Sequence, residues 1–258
     1  MMDINEKLEA LKNYFEEHPK LVLGFSGGVD SSFLFAAAKE MGAEITPIFV
    51  KTVFQPEFEL EDAQKISDHI GVKFEVLRAN PLNDPNVVRN DARRCYYCKQ
   101  TIFSLLKAKA DELGATLIDG TNASDDAGDR PGMKALQEIG AQSPLRLCGL
   151  TKADIRAESK KRGLVTWDKP SYACLATRIP TDTPIDSETL AKVEKAEDAL
   201  FSLGLSDFRV RVFHGAARLQ LPESQWHMDE ELRRNVYDAV KQSFDTVMLD
   251  LQPRLPRE

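Results

Sequence analysis

Leu21-Val22-Leu23-Gly24-Phe25-Ser26-Gly27-Gly28-Val29-Asp30-Ser31-Ser32 is the stretch on which the fold turns. Its first five residues are apolar on both faces, the pattern of a buried parallel strand. A second apolar stretch with helical spacing, Ser32 to Met41, follows the glycine turn. In this setting glycines let the backbone approach a pyrophosphate at a helix N-terminus. The turn has neither Gly-x-Gly-x-x-Gly nor the Gly-Lys-Ser/Thr of the Walker type. Gly27 and Gly28 can instead present successive N–H groups as an anion nest. Ser26, Ser31 and Ser32 add hydroxyl donors for phosphate oxygens, and Asp30 could hold Mg²⁺ at a cleaved pyrophosphate. The competing reading is a plain glycine turn with Ser31 or Ser32 as an N-cap.

Working outward, Ile4, Leu8, Leu11 and Phe15 recur at helical spacing ahead of this strand. Residues 45–50 read as another buried strand, followed by a helix around 59–70 and a strand at 73–77. A long helix fits 97–113, and 116–119 reads as a fourth strand. Strands alternating with helices predict an α/β domain with a parallel sheet covered on both faces, over residues 1–178. The texture changes at the turn-rich segment 179–185. Asp186 or Ser187 can cap a helix running to Leu203. Residues 208–213 and 217–221 then alternate apolar and polar side chains, as half-buried antiparallel strands do. A helix at 229–244 and a strand at 246–251 complete a small α+β domain, 179–258.

Composition narrows the function classes. The chain has 258 residues, a net charge of −7, 42% hydrophobic and 29% charged residues, and four cysteines. These are the proportions of an ordinary globular protein. No apolar run approaches the roughly 20 residues that span a bilayer. The start lacks a basic segment followed by an apolar one, so a cytoplasmic location is expected, with thiols reduced. The acidic balance argues against a nucleic-acid partner, which needs a basic face.

Chemistry-bearing residues cluster in three further places. Asp119-Gly120-Thr121-Asn122 follows the fourth strand, where loops line the ligand crevice of such sheets. Residues 124–132 are polar and glycine-rich, suited to a lid, a substrate loop or a plain surface loop. Cys95-Tyr96-Tyr97-Cys98 has the spacing that lets two thiolates reach one metal or cluster. Cys174 follows a strand-like segment close to Arg178, whose charge could lower its thiol pKa. Cys148 reads as a small core hydrophobe. From spacing alone Cys95, Cys98 and Cys174 stay open between core residues, a structural zinc site, and a cluster or catalytic site. Arg209 and Arg211 alternate on one face of a strand, so both could point at a substrate phosphate or carboxylate. A surface charge pair is the plainer reading.

Ser-Gly-Gly-x-Asp-Ser, here Ser26 to Ser31, matches the loop of the ATP-pyrophosphatase (PP-loop) superfamily residue for residue. That resemblance implies an adenine nucleotide alpha hydrolase-like fold and substrate activation by ATP with release of pyrophosphate. Gly120-Thr121 resembles the segment that flanks the phosphates in related enzymes. With Asp129-Arg130-Pro131-Gly132, Trp167-Asp168-Lys169-Pro170-Ser171-Tyr172-Ala173-Cys174 and Arg209-Val210-Arg211 in order, the chain resembles the LarE family nearly end to end. These are sulfur transferases of nickel-pincer nucleotide biosynthesis. The resemblance implies ATP and Mg²⁺ as cofactors and pyridinium-3,5-biscarboxylic acid mononucleotide as the small-molecule substrate. It assigns Arg178, Arg209 and Arg211 to that substrate. It also implies a homo-oligomer working between an upstream carboxylase and a downstream nickel insertase, with neither nucleic acid nor membrane as a partner.

In the best-known form of the family, the cysteine at the position of Cys174 attacks the adenylated carboxylate, gives up its sulfur and is left as dehydroalanine. This chain departs from that form at Cys95 and Cys98, where the sacrificial type has Trp and Ala. Three-cysteine members resemble thiolation enzymes in which a [4Fe-4S] cluster carries the sulfide, which makes Cys95, Cys98 and Cys174 the expected ligands. Rival classes are a tRNA 2-thiolation enzyme, an amidotransferase-like ATP pyrophosphatase, and a regulatory module that binds ATP without turnover.

Overall fold

The computed structural model describes residues 2–125 and 131–255. The chain opens with α1 (Ile4–Glu17), β1 (Lys20–Gly24), α2 (Val29–Glu40) and β2 (Glu44–Lys51). It continues with α3 (Glu57–Ile70), β3 (Glu75–Arg78), α4 (Pro85–Val88), α5 (Arg94–Leu113) and β4 (Thr116–Ile118). Three helices follow: α6 (Pro131–Ile139), α7 (Pro144–Leu147) and α8 (Lys152–Lys161). Last come α9 (Ser187–Ser202), β5 (Arg209–Phe213), β6 (Ala216–Gln220), α10 (Glu223–Trp226), α11 (Glu230–Lys241) and β7 (Val247–Leu249).

These elements form two compact units. The first takes in residues up to Thr52, then Glu57–Pro81 and Cys95–Lys169. The second combines Val53–Pro56 and Leu82–Arg94 with the chain from Pro170 onward. The first unit holds a parallel sheet of order β3-β2-β1-β4. Pleating sends alternate residues of β1 to opposite faces. Leu21 and Leu23 join one core with Phe33, Phe35 and Phe49, while Val22 joins another with Ile48, Leu106 and Leu117. A strand buried on both faces has no polar side, which is why it reads as an unbroken apolar run. Each fully buried leucine stabilises this arrangement by about 1.5–3 kcal/mol. Helix α2 is buried nearly all round, from Val29 through Ala38 except Asp30, so its position is fixed by the core.

Helix α8 runs beside α2 in the same direction. Lys152 at its start pairs with Asp30, and Arg162 just past its end pairs with Glu40 at 2.9 Å. The Thr151-Lys152-Ala153-Asp154 capping box starts this helix, with Thr151 and Asp154 each satisfying the other's backbone N–H. In the second unit the sheet order is β5-β6-β7, with β5 antiparallel and β7 parallel to β6. Asp186 caps α9 by accepting from Thr189 N at 2.7 Å.

Two readings need correction. Residues 169–174 contain no strand, so Cys174 follows an extended segment held by side chains rather than by a ladder. The segment 124–132 is not loop throughout: Pro131 and Gly132 begin α6. Asp129 and Arg130 of the motif quoted above, with residues 126–128, lie outside the described residues. Helices α6, α7 and α8 were not anticipated.

Candidate functional site

In the first unit the turn 26–28 leaves the carboxyl end of β1, an inner strand of the sheet, and enters α2. Gly27 has φ +67, and a Cβ there would sit 3.2 Å from Ala63 N. Both the conformation and the space therefore demand glycine. Gly28 is the N-cap of α2, and no side chain caps the helix. Neither Ser31 nor Ser32 does so, because both lie inside the first helical turn. The positive end of α2 therefore has first-turn backbone donors that its N-cap residue does not satisfy, a standing site for an anion. Ser26 and Ser31 are joined hydroxyl to hydroxyl at 3.1 Å, and Ser26 Oγ accepts from Gly28 N at 3.3 Å. Ser32 is fully buried, and its hydroxyl has no partner among the described residues.

The loop after β4 closes on the same helix start. A Cβ on Gly120 would lie 3.0 Å from Ser31 N, so this glycine serves close approach. Buried Asp119 accepts from Thr121 N at 3.0 Å and from Thr121 Oγ1 at 2.9 Å, which fixes the turn. Asn122 Nδ2 lies 3.5 Å from Asp30 Oδ1, and Arg146 donates to the carbonyls of Asn122 and Asp125.

Asp30 meets Lys152 Nζ at 2.5 Å. Burial pushes the Asp30 carboxyl above its ordinary range, with Lys152 as the main opposing influence. A second ammonium, Lys169 Nζ, lies 2.8 Å from Asp62 Oδ2 and 3.3 Å from the Gly27 carbonyl. Arg156 holds the carbonyls of Trp167 and Lys169 at 2.7 and 3.0 Å. Lys152, Asp62 and Lys169 were not assigned to the site from sequence. The Thr-x-x-Asp pattern at 151–154 was the available signal for Lys152, since it announces a helix N-terminus with lysine at its first position. Cys95 and Cys98 are one helical turn apart at the start of α5, the first exposed and the second half-buried.

The second unit builds a different environment around Cys174, the N-cap of the short 3-10 helix Leu175–Arg178. Arginines hold the carbonyls on both sides of it. Arg209 donates to Ser171 O at 2.8 Å, Arg178 to Ala173 O at 2.9 Å, Arg94 to Ala176 O at 3.1 Å and Arg211 to Thr177 O at 2.6 Å. Arg178 is fully buried, and Glu197 receives it through two bonds of 2.7 and 3.0 Å. Glu197 also accepts from Val210 N at 2.9 Å and from the Tyr172 hydroxyl. The Tyr172 ring lies under both guanidinium groups, 4.6 Å from Arg178 and 5.1 Å from Arg209. Burial opposes the charge on Arg178, but the Glu197 bonds more than offset it and hold its pKa up. For Arg209, burial and then the Arg178 and Arg254 cations push the pKa down to about 10, which leaves it cationic at neutral pH. The shared face expected for Arg209 and Arg211 is present, directed at the Cys174 segment.

Cys148 is buried in the first unit, and burial pushes its thiol up to about 11, as expected of a core thiol. No group of three or more metal-ligating side chains forms among the described residues. No helix among them is long and apolar enough to cross a membrane.

A diglycine turn with clustered serines and a carboxylate, between an inner parallel strand and a helix whose N-cap has no side chain, defines a nucleotide-using α/β protein of the PP-loop class. The family model for the queuosine biosynthesis protein QueC matches residues 20–94, which include this turn. An uncharacterized protein of Synechocystis, slr1717, is 36% identical over 255 residues, covering 96% of this chain and 95% of that one. The pyridinium-3,5-bisthiocarboxylic acid mononucleotide synthase of Lactiplantibacillus plantarum is 29% identical over 228 residues, 87% of this chain and 83% of the synthase. A tRNA-specific 2-thiouridylase of Coxiella burnetii is 25% identical over 273 positions, 88% of this chain and 75% of the thiouridylase. The chain belongs to the LarE family of ATP-dependent PP-loop sulfur transferases.

Proposed function

We propose that this protein uses ATP to convert the carboxylates of pyridinium-3,5-biscarboxylic acid mononucleotide into thiocarboxylates, in a reducing cytosol. The observation that carries ATP use is the start of α2, where Gly28 caps without a side chain and Gly27, Ser26 and Ser31 surround the first-turn N–H groups. A substrate carboxylate oxygen attacks the α-phosphorus and pyrophosphate leaves, stabilised by those donors and by nearby cations. A sulfur nucleophile then adds to the acyl carbon, and AMP departs with the original oxygen. Ser26, Gly27, Gly28, Asp30, Ser31, Gly120 and Thr121 form the nucleotide side. Ser32, fully buried with a hydroxyl that has no partner among the described residues, adds a further donor to that side. Arg178, Arg209 and Arg211 serve the substrate chiefly by setting the shape and positive field of the Cys174 segment.

Mg²⁺ suits the Asp30 carboxylate, a hard oxygen donor already paired with a cation, and ATP phosphates would complete its shell. For sulfur, the soft thiols Cys95 and Cys98, one exposed and one half-buried within a helical turn, fit two positions of an iron–sulfur centre. Cys174 would be the third ligand, and a cluster so held would supply sulfide. A second reading has Cys174 as the donor: it attacks the acyl adenylate, and elimination leaves dehydroalanine. The position of Cys174 at the start of a 3-10 helix, on a segment whose carbonyls are held by arginines, supports keeping it. Anaerobic purification followed by iron and sulfide assays and intact mass after turnover separates the two. Iron with unchanged mass supports the cluster. A loss of H₂S at Cys174 without iron supports sacrifice. A protein that releases no pyrophosphate with this substrate overturns both.

A further inference from the structure

The carboxylate best placed to meet a metal at the nucleotide turn is already engaged. Asp30 Oδ2 pairs with Lys152 Nζ at 2.5 Å, and Asn122 Nδ2 lies 3.5 Å from Oδ1. Both partners are anchored. Lys152 N donates to Ser124 Oγ at 3.0 Å, and the Asn122 carbonyl accepts from Arg146 Nε at 3.2 Å. Arg156 adds a weaker positive influence on Asp30. The pair is partly open, with side-chain exposures of 28% for Lys152 and 22% for Asp30, so a small hydrated ion has access to it.

We propose that Lys152 is an exchangeable counter-ion for Asp30, a positioning residue that holds the carboxylate charged and aimed until a divalent ion displaces it. The inference rests on the reading that Mg²⁺ and ATP meet at this turn. Its physical basis is charge balance. A half-buried carboxylate at the positive end of α2 is poorly solvated alone, and one ammonium neutralises it. A divalent ion does the same with twice the charge and frees Lys152 to face the incoming phosphate charge. Departure of the metal with pyrophosphate returns the ammonium to Asp30. No bond other than ionic contacts is made or broken. The plainer alternative is that Lys152–Asp30 merely fastens α8 to α2, as Arg162–Glu40 does at the other end of the same helices. The two differ in one respect: a fastener does not compete with a metal.

The test is Mn²⁺ binding to nucleotide-free protein, followed by the loss of free-ion EPR signal. Lys152→Ala should bind Mn²⁺ roughly tenfold more tightly than wild type, the equivalent of one removed charge-assisted bond. Lys152→Arg should stay near wild type. Adding Asp30→Asn to Lys152→Ala should abolish the gain. Glu40→Gln, which cuts the other fastening, should leave Mn²⁺ binding unchanged and only lower the melting temperature. Unchanged Mn²⁺ affinity in Lys152→Ala, with a melting loss like that of Glu40→Gln, would overturn the proposal. Calorimetric binding of MgATP to wild type keeps the two conclusions separable. If MgATP binds but Lys152→Ala gains no Mn²⁺ affinity, only the exchange fails; if MgATP does not bind, the functional reading fails.

Discussion

Replacing Glu197 by alanine would leave the fully buried Arg178 without its counter-charge and Val210 N and the Tyr172 hydroxyl without their acceptor. Breaking one partner of a buried pair costs about 3–5 kcal/mol, so urea denaturation should show a loss of that size. The Cys174 segment should loosen with it, because Arg178 also holds Ala173 O. Cys148 provides a quieter test. Its thiol is buried and pushed up to about 11, so in metal-free protein at pH 8 a thiol reagent should modify it only on unfolding. Rapid modification at Cys148 would show that the core there opens readily. At this scale the sequence was informative where residue type alone sets the chemistry. Gly27 and Gly28 announced the turn, and Cys148 announced a core thiol. It was silent on Glu197 and Lys152, because the worth of a lone charge depends on which distant side chain it meets.

Between elements, the close approach of the Gly120 loop to the start of α2 makes a sharp prediction. A methyl at Gly120 would be 3.0 Å from Ser31 N, tighter than ordinary packing. Gly120→Ala should therefore push the loop from the helix start and lower pyrophosphate release at least severalfold. Its effect on stability should stay near the 1–3 kcal/mol of other overpacked sites. A steady-state assay beside a thermal melt checks it, and an unaltered rate with a lower melting temperature would count against the contact. The elements themselves were readable wherever burial is one-sided or total. The β1 run, the α1 spacing and the Asp186 cap each carry their cause in adjacent residues. Helix α8 was missed because its residues are mostly charged. Only Ile155, Glu158 and Ser159 are buried, so its apolar stripe is too thin to show periodicity. The segment leading to Cys174 read as strand-like because extended backbone looks the same whether side chains or a neighbouring strand hold it.

For the whole molecule, acid sensitivity follows from how its carboxylates are held. Burial works to raise Asp62 and Glu158, but bonds from Lys169 and Lys65 and from Lys161 and Arg162 hold both below their ordinary values of 3.8 and 4.5. Asp186 is lowered chiefly by the Thr189 backbone N–H. A depressed carboxyl stabilises the fold at pH values above its ordinary pKa, and that stability is lost as pH falls through the folded pKa. Asp30 works in the opposite sense, since burial raises it, so part of its cost is relieved on acidification. Asp154 and Asp250 are lowered as well, and five lowered carboxyls against one raised predict a denaturation midpoint that is flat above about pH 5 and falls steeply below about pH 4. Urea midpoints across pH 3–7 check this, and a rise on acidification would refute it.

The discontinuous makeup of the second unit bears on the order in which the protein can be completed during translation. Phe54 O awaits Leu175 N, Val88 O awaits Ile185 N, and Asn90 awaits the carbonyls of Pro180 and Thr183. The ribosome delivers Phe54, Val88 and Asn90 some ninety to a hundred and twenty residues before their partners, by chain position alone. These long-range bonds cannot form until most of the polypeptide has emerged. A fragment made of residues 179–258 alone should accordingly give a poorly dispersed amide spectrum. Such a unit is not a cassette that recombination can append or remove at one junction. Insertions within Val53–Pro56 or Leu82–Arg94 should disturb it as much as changes near Cys174 do.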